Sequence, residues 1–278
     1  MHWFDAFAVL DPKGTISLAE RGLMIHAVEF MLIVAIPVYI LLFFFAWRYR
    51  DRSASGTPDK KGARIAYAPN WESGPMEELI WWAIPFEIIL ILGALTWTST
   101  HALAPGKPLS ASTTPMVVDV VALPWKWLFI YPSLGVASVN QLEMPVGQPV
   151  DFKVTADAPM NSFWIPQLGG QIYAMTGMVN DLNLVADEPG AYAGSSSNYS
   201  GSGFAQMKFT ATAVSQSDFD AWVSSVKGTD TMLDRSAYTK LAAPSVMSAP
   251  TSYAKVDPSL YDTIVKQFMD PYPKVMED

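Results

Sequence analysis

The sequence predicts a membrane α + β protein: a two-helix transmembrane hairpin, then a small β-sandwich or barrel, then a short helical C-terminal extension. Three observations predict it. Two long stretches in the first hundred positions carry almost no charge. From residue 115 apolar residues recur at every second position, the period of a strand with one buried face. Beyond residue 215 they return to the spacing of helices.

The chain has 278 residues and is 50% hydrophobic, and the apolar excess is concentrated rather than spread. No residue from Phe30 to Trp47 is charged, and Pro37 is the one helix disruptor there. The 22 residues from Leu79 to Thr100 carry a single charge, Glu87. At about 1.5 Å rise per residue such a segment reaches about 33 Å, enough to cross a hydrocarbon core of about 30 Å. Trp47, Tyr49, Trp71, Trp81, Trp82 and Trp97 lie near the segment ends, where interfacial aromatic rings concentrate. Membrane spans are therefore expected over residues 23–47 and 79–100. The loop between them, 48–78, holds Arg48, Arg50, Arg52, Lys60, Lys61 and Arg64 against Asp51 and Asp59 in its first part. The positive-inside rule makes that loop cytoplasmic. The N-terminal segment, 1–22, and everything after His101 then lie outside. No basic start followed by an apolar run occurs in residues 1–22, so no signal peptide is read there.

Residues 101–114 form a linker rich in Pro, Ser, Thr and Ala. A β-domain follows over 115–215. Residues 116–123 are a β-branched run, 127–131 an aromatic one, and Val150, Phe152 and Val154 alternate with polar neighbours. Leu182 and Leu184 flank Asn183, and Met207, Phe209 and Ala211 alternate with Lys208 and Thr210. Short strands broken by Pro and Gly suggest a small antiparallel sandwich or barrel. Residues 194–203, Gly-Ser-Ser-Ser-Asn-Tyr-Ser-Gly-Ser-Gly, are the one biased stretch, and the Gly-Ser-Gly near position 202 reads as a flexible turn. In the C-terminal extension, 216–278, Ser217 with Asp220 resembles a capping box, and Phe219, Trp222, Val223 and Val226 share a helix face. Asp257 before Pro258 marks a second helix start, with Leu260, Ile264 and Phe268 at spacing four. These helices are expected to pack on the β-domain or on a neighbouring subunit.

Composition excludes several classes of function. With no cysteine, disulfides and thiolate metal sites are impossible. The formal charge of −8 falls mostly on residues 101–278 and argues against nucleic acid. No phosphate-binding Gly-rich loop, zinc-type His pair or nucleophile elbow occurs. His2, His26 and His101 lack metal-ligand spacing and read as interfacial or structural. Met160, Met175 and Met178 raise a weak Cu(I) thioether cluster, although methionine more often fills cores.

Particular segments carry a family resemblance: Leu10-Asp-Pro-Lys-Gly14, Ala46-Trp-Arg-Tyr-Arg50, Pro69-Asn-Trp71, His101-Ala-Leu103, Trp125-Lys-Trp-Leu-Phe-Ile-Tyr-Pro132, Met160-Asn-Ser-Phe163, Gln171-Ile-Tyr-Ala-Met175, Tyr199-Ser-Gly201 and Leu241-Ala-Ala-Pro-Ser245. Spread from about residue 10 to about residue 270, they make the chain similar to subunit II of the haem–copper oxidases, and above all to the quinol-oxidising, cytochrome bo-type branch. The resemblance implies a cupredoxin-like Greek-key barrel on the periplasmic side of a bacterial inner membrane. It also implies a proton-pumping complex that oxidises ubiquinol and reduces oxygen to water. Haems and one copper would reside in subunit I, with subunits III and IV and the lipid bilayer as further partners. Family members often carry a lipid-anchoring cysteine, which this sequence does not contain.

In the cytochrome c-oxidising branch the barrel holds a dicopper centre of thiolates, imidazoles, a thioether and a carbonyl. On that pattern the imidazole positions here are Asn161 and Phe204, the thiolate positions Ser196 and Ser200, the carbonyl position Asn198 and the thioether Met207. Only the thioether keeps its chemistry, so no metal and no cytochrome c partner are expected. Met207 reads as a core residue. Trp125 and Trp127 lie on the strand that faces the electron route in that branch, and here are expected to dock against subunit I. Glu78 matches a family glutamate at the mouth of a proton pathway, with Glu77 beside it as a competitor, while Glu29 and Glu87 read as facing other helices. The alternative to an oxidase subunit is a membrane-tethered periplasmic binding or sensor module with a metal-free cupredoxin fold.

Overall fold

The computed structural model describes residues 8–48, 72, 74–109, 113–246 and 249–269. Most of the basic loop, with Arg50, Arg52, Lys60, Lys61, Arg64 and Trp71, lies outside the described residues, as do His2, Tyr49 and the tail from Asp270. The chain divides into two units, Gly22–Ala102 and a second that joins Met1–Arg21 to Leu103–Asp278.

Among the described residues, the first unit is helical except for Glu72 and Gly74. Helices α1 (Thr15–Arg48) and α2 (Pro75–Ala102) begin before the expected spans and continue past their far ends. Leu, Ile, Phe, Met and Ala dominate both, and Pro37 and Pro85 are accommodated inside them. At about 1.5 Å per residue, α1 exceeds the thickness of a bilayer core and extends beyond it as a helix. Ser17 is the one buried residue of α1 among those described, and α2 buries none. Phe43, Trp82 and Trp97 are among many large apolar side chains left exposed. Water is a poor solvent for such a surface, so lipid or the helices of a partner must cover it.

The second unit is a two-sheet sandwich with a covering extension. Its strands are β1 (Met116–Leu123), β2 (Lys126–Tyr131), β3 (Val136–Val139), β4 (Gln141–Pro145), β5 (Val150–Ala156), β6 (Asn161–Trp164), β7 (Ile172–Ala174), β8 (Asn180–Leu184), β9 (Gly190–Ser196) and β10 (Lys208–Val214). The extension adds α3 (Gln216–Lys227), β11 (Met232–Leu233), α4 (Arg235–Ala242), β12 (Thr251–Tyr253), β13 (Lys255–Val256) and α5 (Leu260–Lys266). One sheet runs in the order β12-β3-β2-β1-β5-β8, the other β4-β10-β9-β6-β7. Most neighbours are antiparallel, as the strand spacing suggests, but β1 pairs with β5 and β4 with β10 in parallel. The chain reaches β4 and β5 by crossing between the sheets, so each returns beside a strand running its own way. This is the Greek-key, cupredoxin-like sandwich.

Aromatic rings fill the space between the sheets. Trp127 and Phe129 of β2 and Phe152 of β5 meet Phe163 of β6 and Phe209 of β10. The Phe163 and Phe209 rings stack at 5.1 Å, nearly parallel, while the others meet edge-on or tilted. Gly194 makes this possible. It sits opposite Phe209 in the β9–β10 ladder, and a Cβ there would overlap that ring. Residues 190–196 are therefore a strand whose end reaches into the Gly- and Ser-rich stretch.

The extension packs on the outer face of the six-stranded sheet. Val121, Leu123, Leu128, Ile130 and Val139 meet Leu233, Tyr238, Leu241, Leu260 and Ile264. Helix α3 is capped by Ser215, whose hydroxyl accepts the Asp218 N–H at 3.2 Å, two residues before the expected Ser217. Phe219, Val223 and Val226 are its buried face, with Trp222 partly buried beside them. Asp257 accepts the Ser259 N–H and hydroxyl at 2.9 and 2.8 Å ahead of α5, and Phe268 falls outside that helix and is exposed. Residues 8–21 belong to this unit too. Ser17 Oγ donates to the Gln167 carbonyl at 2.6 Å, and Gly14 lies so close to the Val185 carbonyl that no side chain fits. Substituting Gly194→Ala forces the stacked Phe163–Phe209 pair apart, with an expected loss of about 1–3 kcal/mol, measurable by denaturant unfolding of the purified chain.

Candidate functional site

Sandwich topology draws the six positions 161, 196, 198, 200, 204 and 207 towards one end of the five-stranded sheet. Asn161 opens β6, Ser196 closes β9, and residues 197–203 connect to a short 3-10 turn, Phe204–Gln206, before β10. Phe163 pairs with Ser196 across the ladder, which brings the start of β6 beside the end of β9.

Ser196 is the hub. Its buried hydroxyl lies 2.9 Å from Asn161 Oδ1 and 3.3 Å from the Asn198 carbonyl, two acceptors for its one hydrogen. The same oxygen accepts the N–H groups of Ser162 and Asn198, each at 3.4 Å. Asn161, fully buried, donates its amide to the Pro159 carbonyl at 2.6 Å, and Ser162 Oγ donates to Asn198 Oδ1 at 2.8 Å. Ser200 and Met207 sit apart from this network but contact each other, Oγ to Sδ, at 3.9 Å. The Ser196 N–H, donating to the Met207 carbonyl at 3.4 Å, links the two groups. Phe204 is half-buried, with its ring edge-on to Tyr199. Met207 is buried in the core.

The donor set does not suit a copper pair. Soft sulfur is needed to stabilise mixed-valence copper, and hydroxyl, carboxamide and phenyl groups occupy four of the five side-chain positions. The Asn161 oxygen is already engaged by Ser196. The thioether of Met207 is the one suitable donor left. Among the described residues no three His, Cys, Asp or Glu side chains converge as a metal-binding group.

Trp125 stands beside this end of the sandwich. It occupies the left-handed region, φ 63°, in the turn between β1 and β2, a conformation that costs a non-glycine residue about 1–2 kcal/mol. Its indole N–H donates to the Ser200 carbonyl at 3.0 Å, and its ring covers Gly203, where a Cβ would overlap it. It is half-buried, so part of its surface remains for a partner. For Trp127 the expected docking role does not hold. Its ring has no accessible surface and packs edge-on against both Phe163 and Phe209, because strand alternation turns it inward.

Glu78 lies in the first turn of α2, exposed, with its N–H donating to the Gly74 carbonyl at 3.1 Å. Glu77 is its neighbour there, and its carboxylate folds back over Gly74. Glu29 and Glu87 are exposed on their helices. His26 and His101 pair through Nδ1 with the carbonyls of Gly22 and Trp97, at 2.7 and 2.8 Å. Of the methionines, Met160 and Met178 are exposed.

Three of the described residues, Lys126, Asp119 and Glu143, are buried charges that escaped the sequence reading. Lys126, 1% exposed, donates to the Ala243 carbonyl and Ser245 Oγ at 2.7 and 2.6 Å, and burial pulls its ammonium below the usual lysine range. Asp119 lies within the apolar run of β1, and burial, reinforced by Asp262 and Asp151 and opposed by Lys153, lifts its carboxyl to about 6. A lone acid on the outward face that also holds Val121 and Leu123 was the available signal.

Residues 117–214 match the family described as cytochrome c oxidase subunit II, periplasmic domain, and residues 227–272 the COX aromatic rich motif. The cytochrome bo(3) ubiquinol oxidase subunit 2 of Pseudomonas putida is 46% identical over 262 residues, 94% of this chain and 81% of that protein. The ubiquinol oxidase subunit 2 of Acetobacter aceti is 47% identical over 263 residues, 94% of this chain and 82% of that protein. Among solved structures, the periplasmic domain of subunit II of cytochrome oxidase of Bradyrhizobium japonicum superposes with a TM-score of 0.39 at 23% identity, covering 41% of this chain and 94% of that one. Such identity across both membrane helices, the sandwich and the extension means that the chain belongs to the ubiquinol oxidase subunit 2 family of the haem–copper oxidases.

Proposed function

We propose that the chain serves a proton-pumping ubiquinol oxidase as a subunit without a redox centre of its own. Electrons pass from ubiquinol to oxygen through haems and copper held by subunit I, and this chain supplies docking surface, structural support and a proton-collecting carboxylate. The observation that carries the reading is the Ser196 network: side chains at the former ligand positions satisfy one another with hydrogen bonds. A tagged chain extracted in mild detergent is expected to bring a haem-containing partner with it and to show no dicopper absorption band. Recovery as a stable, haem-free monomer would favour the sensor-module alternative.

Loop 48–78 is assigned to the cytoplasm by its basic residues, and the N-terminus and sandwich to the periplasm. Glu78 then lies at the cytoplasmic end of α2, where an exposed carboxylate raises the local proton concentration at a pathway mouth. The exposed apolar faces of α1 and α2 support packing against subunit I and lipid, with subunits III and IV completing the complex. Trp125 is the candidate contact from the sandwich.

Glu78→Ala is expected to lower oxygen uptake several-fold in the assembled oxidase while leaving its haem content unchanged; undiminished proton-coupled turnover removes the role. The ligand alignment has its own check. Asn161→His, Ser196→Cys, Ser200→Cys and Phe204→His together are expected to restore copper uptake and a purple thiolate–copper chromophore. A refitted chain that folds yet binds no copper would show the alignment of the vanished site to be wrong.

A further inference from the structure

The outer face of β1 carries apolar Val121 and Leu123 beneath the extension, yet Asp119 shares that face and is 8% exposed. Its carboxylate makes no hydrogen bond or ion pair with the described residues. Among the described residues the one nearby cation, Lys153, is taken: it pairs with Asp151 at 2.9 Å and Asp181 at 3.1 Å. Among the described residues every other charged side chain around Asp119 is acidic, namely Asp151 on β5, Asp262 on α5 and Asp257 ahead of α5. A buried carboxylate without a partner is costly, and the cost is ordinarily met by protonation or by a counter-ion.

Asp119 also opens onto space. It lines a pocket of about 100 Å³ together with Ile130, Val256, Asp257, Pro258 and Tyr261. The Tyr261 hydroxyl spends its hydrogen on the Lys153 carbonyl at 2.9 Å, which leaves its oxygen lone pairs as acceptors. Asp257 is held in its charged form by the Ser259 N–H and hydroxyl. Every polar side chain named here offers oxygen lone pairs, and none offers a free proton donor.

We propose that this pocket, closed by α5 over β1, binds one small monovalent cation, an alkali metal ion or ammonium, against the Asp119 carboxylate. Charge selects the valence. One unpaired buried carboxylate calls for one positive charge, and no group of three acidic or imidazole side chains is present among the described residues to hold a divalent ion. Size agrees, since a water molecule takes about 30 Å³ and the pocket holds a small cation with a water or two. The cation would fasten the C-terminal extension to the sandwich, because its ligands come from both.

The test is thermal unfolding of the full chain in detergent at constant ionic strength, with chlorides of potassium, ammonium or tetramethylammonium. Tetramethylammonium is too bulky for the pocket and has no N–H donor. Potassium or ammonium is expected to raise Tm saturably by about 2 °C or more over tetramethylammonium. Potassium acting alone identifies a metal ion, and ammonium acting alone identifies N–H donation. Asp119→Asn removes the charge and keeps the shape, so it is expected to unfold in tetramethylammonium at or above the wild-type temperature and to lose the response. Identical Tm values in all three salts, or the same rise in Asp119→Asn, would overturn the proposal.

Discussion

Packing of aromatic rings between the two sheets is the constraint on which the sandwich depends. Five rings, Trp127, Phe129, Phe152, Phe163 and Phe209, come from four strands spread over more than eighty residues of sequence. Rings of this size bury about 150–250 Å² each, so together they dominate the stabilisation of the unit. Their edge-on and stacked geometries fix the register of β6 and β10 as well as their burial. Gly194 is the complement to that packing: a strand position emptied so that the Phe209 ring can lie flat.

The same packing explains how this end of the sandwich keeps its form with polar side chains in it. β6 and β9 are held by Phe163 and by the ladder, not by anything bound at their ends. Polar groups left at that end still need partners, because unsatisfied buried donors and acceptors are destabilising. Ser196 answers this by accepting two backbone N–H groups while donating to one of two carbonyl oxygens. Asn161 and Ser162 complete the network. Trp125, strained in backbone and laid across Gly203, closes the surface beside it.

The extension plays a second covering role. The six-stranded sheet has apolar residues on both faces, which a sheet open to water on one side would not tolerate. α4 and α5 bury the outer face, and the buried Lys126 ties residues 243–245 across it. Tyr238 reaches Asp157 at 2.5 Å and Tyr261 reaches the β5 backbone, so polar contacts at the rim accompany the apolar ones.

Much of this was legible in the residues. Charge-free runs announce two long helices, because only a helix satisfies its own backbone in an apolar solvent. A β-branched run located β1, an aromatic run β2, and alternation β5, β8 and β10, whose inward faces are large and apolar. β9 was illegible, since Gly and Ser there serve a neighbour's ring rather than a pattern of their own. Trp127 read as surface until its partners, Phe163 and Phe209, were placed opposite it. The cap of α3 moved to Ser215 because a helix begins where the preceding strand ends. By itself, then, the sequence determined the chain's solvents, its periodicities and the chemistry of its side chains, all of which are local. Parallel pairing of β1 with β5, the meeting of Asn161 with Ser196, and the isolation of Asp119 were decided only by tertiary structure. Each depends on residues far apart in the chain that no local pattern relates.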